Sequence, residues 1–283
     1  MFLFLALAAA VAWPSSAKAD AALTPTLTPR ARHIEAELEL RDLVSVLPSD
    51  VQSKITGIYV AFVPSPIDVS AQAACDDDGD DVIVLSDAML VLLENVSHAQ
   101  ALDPGDSRPN VNALAIHYAK EQYPGERLLP PAPGAFLSSD SRATEIVHTA
   151  RFREALSGVL AHELSVFVRD ELACPHPTVT RERGDDVWTK EEADLARDIA
   201  NHLYTPPSRT KGRDRDAVQL TLASKGEAVG YVGWLGFLAS IDLLGGHTGW
   251  SYSNQRSGAR GRLSSVERDL EELRTHASSR TER

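Results

Sequence analysis

Cysteine is scarce in this 283-residue chain, and with only Cys75 and Cys174 neither a zinc ribbon nor a multi-bridge disulfide framework can be built. Positive charge is also short. The 28 Lys and Arg stand against 40 Asp and Glu, giving a formal net charge of -12 and a pI of 5.2. Affinity for a phosphate backbone rests on cationic neutralisation, so nucleic acid is not expected as a partner. The 17 Gly and 16 Pro follow no period, and no self-similar repeat of about 20 to 50 residues is present, which excludes collagen-like and solenoid architectures. The signatures G-x-S-x-G, G-x-G-x-x-G, Walker A and C-x-x-C are missing as well. What is there, 43% hydrophobic and 24% charged residues, suits one compact domain with a packed core.

The longest unbroken apolar run lies in the first residues. Met1 to Ala12 (MFLFLALAAAVA) is followed by small residues ending in Ala17-Lys18-Ala19 before Asp20. The pattern predicts a cleavable signal peptide over residues 1–19, although its n-region lacks a cation. Its apolar stretch is too short for a transmembrane helix, which needs about 20 residues. The expectation is a periplasmic or secreted protein with no transmembrane segment after cleavage. In an oxidising compartment Cys75 and Cys174 can pair, closing a loop of about 100 residues; without export they read as two buried thiols.

Apolar positions Ile34, Leu38, Leu40, Leu43 and Val46 recur at near-helical spacing and predict a first helix ending at Pro48. Ile55 to Val63 and Val82 to Leu85 read as strands, and Ser86-Asp87 as the N-cap of a helix carrying Met89, Leu90, Leu92 and Leu93. A further helix is expected over Asn112 to Gln122, then a proline-rich loop over 124–141. Arg142 to Ala173 runs without proline and carries Ile146, Phe152, Leu156, Val159, Leu160, Leu164 and Phe167, the longest helical signal. After it come an acidic helix (Lys190 to Leu203), a polar turn (Thr205 to Gly212), helices over Asp214 to Ser224 and Tyr231 to Leu244, and a last helix with Leu263, Val266, Leu270 and Leu273 on one face. The fold class is α+β, mainly helical: two or three small strands packed against a helical core built around 142–173.

One sequence stands out chemically. Val159 to Val166, VLAHELSV, contains His162 and Glu163, the first half of H-E-x-x-H. In that motif two histidines at i and i+4 hold zinc from one helical face, and the Glu between them takes a proton from the metal-bound water. Here Val166 stands where the second histidine would be. The order of a strand, the capped helix SDAMLVLL, the long helix with VLAHEL, a helix with DRDAVQLTLASKGE and the apolar GYVGWLGFLASIDLL resembles the gluzincin zinc metallopeptidases of the CAAX prenyl endopeptidase type and their periplasmic quality-control relatives. The resemblance spans 55–275, between a leader and helix at 20–54 and a polar tail at 276–283, and implies a zincin-type central helix.

The resemblance makes His162 a metal ligand and Glu163 a general base, both vestigial. Val82 to Leu93 looks like the phrase that precedes the family's zinc helix. Gly212-Arg213-Asp214-Arg215-Asp216 is similar to its E-x-x-A-D element, with Asp216 matching and Gly212 in place of the third ligand. Arg262-Leu263-Ser264-Ser265-Val266-Glu267-Arg268 looks like its His-Pro-Ser-Ser-x-x-Arg, with Arg262 in place of the His. A catalytic zinc needs three protein ligands and an open position. Substitute donors are Asp214, rotated about 200 degrees around its helix from position 212, His176 and His247 on loops, and Glu191 or Glu192 in a shifted register over Lys190 to Asp194. The reading is an exported metallopeptidase-like protein without catalysis, a binding or regulatory module for a protein or peptide partner, with no cofactor, or zinc if active. The alternatives are an active metalloendopeptidase with an unusual ligand set and a structural envelope protein.

The remaining features are plainer. Asp76 to Asp81 is acidic but lacks EF-hand spacing and reads as a solvated turn. Asn95-Val96-Ser97 fits a glycosylation acceptor but falls at a predicted helix end. Trp234, Phe237, Leu238, Ile241, Leu243 and Leu244 read as core, and the Arg-rich tail as a solvated helix face.

Overall fold

Thr28 and Pro29 start the first helix: proline supplies a preset φ at the first turn, and the Thr28 hydroxyl accepts a hydrogen bond from the Ala31 amide at 3.2 Å. The computed structural model describes residues 27–55, 57–65, 69–76, 78–102, 111–116, 142–172, 174, 207–243 and 259–281. Helix α1 (Pro29–Ser45) sends Ala36, Leu40 and Leu43 into the core and is tied to the next long helix by Arg32 and Glu94, 2.6 Å apart and both buried. Pro48 stops it, and the short α2 (Ser49–Lys54) follows.

Three strands form one mixed sheet in the order β1, β3, β2. β1 (Tyr59–Val63) runs parallel to β3 (Asp81–Ser86), with Val60 opposite Ile83, and β2 (Ala71–Cys75) runs antiparallel to β3, with Ala73 opposite the same Ile83. The apolar run 55–63 is a strand only from Tyr59, because Ile55 ends α2 and Gly57 turns the chain with a φ of 94°. β2 reads AQAAC, with no β-branched or aromatic residue, so propensity offered nothing there; pairing with β3 makes it a strand. Ser86 caps α3 (Asp87–Ala101), its hydroxyl accepting from the amides of Met89 at 3.1 Å and Ser70 at 3.0 Å.

Helix α4 (111–116) is the described part of the helix expected over 112–122. The long α5 (Arg142–Val168) packs against α1, α3, the sheet and two of the helices that follow it, and is apolar or buried all round from Ala155 to Phe167. It ends five residues before Ala173. Asp170 takes a left-handed φ of 53°, its amide bonds to Phe167 O at 3.0 Å, and the Glu171 amide bonds to Val166 O at 2.9 Å, the two bonds of a Schellman end. Then come α6 (Pro207–Lys225), α7 (Val229–Leu243) and α8 (Ala259–Thr281). The polar turn expected through Gly212 is therefore helical from Pro207: proline at the first helical position is compatible with the helix, and Thr210 and Arg213 are buried rather than solvated. The architecture is α+β and mainly helical, with a small sheet against a long central helix. Among the described residues, Tyr231, Trp234 and Phe237 of α7 and Phe152 of α5 are the largest fully buried side chains. No described helix is long and apolar enough to cross a membrane. The expected signal peptide, the loop over 124–141 and the acidic helix over 190–203 lie outside the described residues.

Cys75 at the end of β2 is bonded to Cys174 beyond α5, with Cα atoms 5.4 Å apart and a sequence separation of 99. This bond tethers an edge strand to the central helix. Replacing both cysteines by serine is expected to lower unfolding free energy by about 2 to 4 kcal/mol in a urea titration; an unchanged midpoint would show that the tether does not hold the folded chain together.

Candidate functional site

His162 and Glu163 are adjacent on α5, so their side chains leave the helix about 100 degrees apart and reach different neighbours. Both are buried. Glu163 points to the sheet, where its Oε2 accepts the Ala73 amide of β2 at 3.0 Å. β2 is an edge strand, and this carboxylate covers one outward N–H that would otherwise need a partner.

His162 points to α6. Its Nδ1 lies 2.9 Å from Asp214 Oδ1, and Asp214 is 0% exposed. The same carboxylate receives Arg262 from α8 through two hydrogen bonds, Nε to Oδ2 and Nη2 to Oδ1, each 2.7 Å, and the Tyr231 hydroxyl of α7 donates to Oδ1 at 2.9 Å. Burial pushes the Asp214 pKa up, but the charge and hydrogen bonds of Arg262, and then those of His162, outweigh it and hold the carboxyl well below its ordinary range. Asp214 is therefore an ionised acceptor, so Nδ1 of His162 carries the hydrogen it shares with it. Four helices meet at this one carboxylate.

Tyr231 reaches it because α5 has no side chain in the way: a Cβ at Gly158 would enter the Tyr231 ring. Around the centre two further ion pairs face elsewhere. Arg169, just past α5, pairs with Asp216 and donates to Gly212 O at 3.1 Å, and Arg213 bonds Glu171.

The positions singled out from sequence divide accordingly. It is Asp214, not residue 212, that faces His162; the rotation of about 200 degrees between them stands, but it turns Gly212 toward Arg169 and Asp214 inward. Asp216 stands at the Arg169 pair, Ser265 accepts from Arg268 Nη2 at 3.2 Å, and Ser264 is exposed. Val166 is wholly buried in the core. Arg262 is not on a solvated face: it is 3% exposed. The signal for it was legible, since Arg262 falls at i, i+4, i+8 with Val266 and Leu270, and a cation on an apolar stripe needs a buried partner. Tyr231 carried no comparable signal. His176, His247 and 190–194 lie outside the described residues, as does Leu244.

A zinc ion does not suit this donor set. Val166 offers no donor atom, Gly212 no side chain, and both Asp214 oxygens are engaged by Arg262. Among the described residues no three His, Cys, Asp or Glu side chains converge on a metal position. Asp76 is taken up by its own exposed turn, its Oδ1 accepting from the amides of Asp78 at 2.9 Å and Asp80 at 2.8 Å. The Asn95-Val96-Ser97 sequence is inside α3, with both polar residues buried. Trp234, Phe237, Leu238 and Ile241 belong to the core.

No protein-family model, curated protein or solved structure matches the chain.

Arg262→Ala should cost about 3 to 5 kcal/mol in urea unfolding, because it leaves a buried carboxylate unpaired; a loss under about 1 kcal/mol would place the charge in water. Gly158→Ala should cost about 1 to 3 kcal/mol through the Tyr231 ring, measured the same way. Because the folded Asp214 pKa lies below the unfolded value of 3.8, its contribution is complete above that value and is lost as pH falls through the acid range below it. Asp214→Asn should flatten that acid limb in unfolding experiments between neutral pH and pH about 2. An unchanged limb would assign the acid sensitivity to other carboxylates.

Proposed function

We propose that this chain is an exported, zinc-metallopeptidase-like protein whose centre is not catalytic and which serves as a binding or regulatory module for a protein or peptide partner. The observation that carries the reading is the use made of the two acidic groups nearest His162. Glu163 is committed to the Ala73 amide of the edge strand, and Asp214 to Arg262 and Tyr231. A general base must reach a water activated by a metal, and a carboxylate that ties a helix to a strand is differently employed.

The scaffold that supports the likeness is a long buried helix bearing His162-Glu163 beside a small sheet whose edge lies along it. The positions that depart from the family's pattern, Val166, Gly212 and Arg262, each have a structural use here: core packing, contact with Arg169, and neutralisation of Asp214. The bond between Cys75 and Cys174 supports an oxidising compartment, hence the periplasm or the exterior.

Metal content tests this reading. Protein purified without chelator should contain well under one equivalent of zinc by elemental mass spectrometry, and should show no peptidase activity on unfolded polypeptide. Near-stoichiometric zinc in the wild type, lost on His162→Ala, would overturn it in favour of an active enzyme with a different ligand set.

A further inference from the structure

Two histidines that the Asp214 centre does not use meet across the seam between α3 and α5. His98 stands in the last turn of α3 and His148 near the start of α5. Their rings stack, with centroids 5.1 Å apart and 30° between the planes. His148 is 4% exposed, and its Nε2 lies 3.2 Å from the main-chain oxygen of Glu94. A carbonyl only accepts, so Nε2 carries the hydrogen, and the neutral ring is bonded to α3 as well as stacked on it. Charging both rings would set two cations face to face where burial removes much of the water that screens them.

The groups around the pair do not offset that repulsion. The Glu94 carboxylate is committed to Arg32 of α1 at 2.6 Å and to the Leu27 amide at 2.9 Å. Glu145, three residues before His148, is exposed, and Arg151, three residues after it, is bound to Glu154 and Glu227. On α7, which packs against α3, the one titratable side chain described is Tyr231, bound to Asp214. The described α4 has none, and β3 meets α3 at its Ser86 cap, about three turns from His98. Burial accordingly holds both imidazoles below the ordinary histidine value of 6.5, and for His98 the neighbouring His148 adds to the effect.

We propose that His98 and His148 form an acid-operated latch: neutral rings hold the last turns of α3 against the start of α5, and their protonation opens that seam while the Asp214 centre stays paired. The opened chain takes up protons more readily than the closed one, so the latch holds fully above pH 6.5 and weakens as pH falls through that value and below it. Asp214 loses its charge only below 3.8, which keeps the two responses apart. Glu94 carries the change onward, because the residue that accepts His148 also holds Arg32 of α1.

Hydrogen exchange of the full chain, read by mass spectrometry and corrected for intrinsic rates, tests the latch at about pH 7.5 and about pH 5.5. Peptides from 94–101 and 142–150 should exchange about tenfold faster at the lower pH, with peptides from 207–225 unchanged. His98→Phe, which keeps an aromatic ring on His148 but removes one titrating group, should cut the difference to about twofold or less. Equal exchange at the two pH values, a rise spread evenly over the chain with 207–225 included, or the full acid effect in a folded His98→Phe would each overturn the proposal. If His98→Phe does not fold, a histidine NMR titration of the wild type decides. Both rings titrating below 6.5, with the rise in exchange following the same midpoint, supports the latch, and titration of either at or above that value overturns it.

Discussion

The ionised Asp214 carboxylate is the constraint around which the helical half of the molecule is arranged. It sits on α6 without contact with water, and each of its partners comes from a different helix: His162 from α5, Tyr231 from α7, Arg262 from α8. Directional hydrogen bonds from three sides fix the mutual placement of four helices in a way that apolar contact, which is non-directional, does not. Burial alone would neutralise such a carboxyl. That its pKa falls instead shows the arginine and its neighbours winning against desolvation.

Helix α5 carries the other half of the design. From Ala155 to Phe167 it is enclosed on all sides, and its small and polar residues there are placed where a neighbour needs room or a partner. Gly158 admits the Tyr231 ring, Glu163 takes an amide of the sheet edge, and the Val166 carbonyl closes the helix end through the Glu171 amide. The disulfide from Cys75 to Cys174 then fastens the same edge strand near the same helix end. The sheet edge is thus held twice, once by a carboxylate and once by a covalent bond.

Much of this plan was readable from residues. The long helix, the Ser86 cap, the strand over 82–85 and the amphipathic last helix all follow from periodicity and capping chemistry, because those signals are local. The third strand was not readable from propensity: AQAAC becomes β2 through pairing with β3 and through contact with α5. The helix start at Pro207 was hidden by the polar composition of 205–213, within which Thr210 and Arg213 are buried. At the centre, His162 and Glu163 stood out as a dipeptide, yet their separate uses depend on which elements lie on either side of α5. The inward direction of Asp214 is a tertiary fact: spacing says that 212 and 214 diverge, and only the packing of α6 on α5 says which of them turns inward.

The most direct test of the account is a double-mutant cycle between Asp214 and Arg262, using Asp214→Asn, Arg262→Met and the pair, with unfolding free energies from urea titrations near neutral pH. If the guanidinium is the charge that allows Asp214 to stay ionised in the core, the coupling energy should reach about 3 kcal/mol, the upper end of the range for residues in contact, and the double variant should be more stable than Arg262→Met alone. Additive losses, with a coupling energy near zero, would contradict the account.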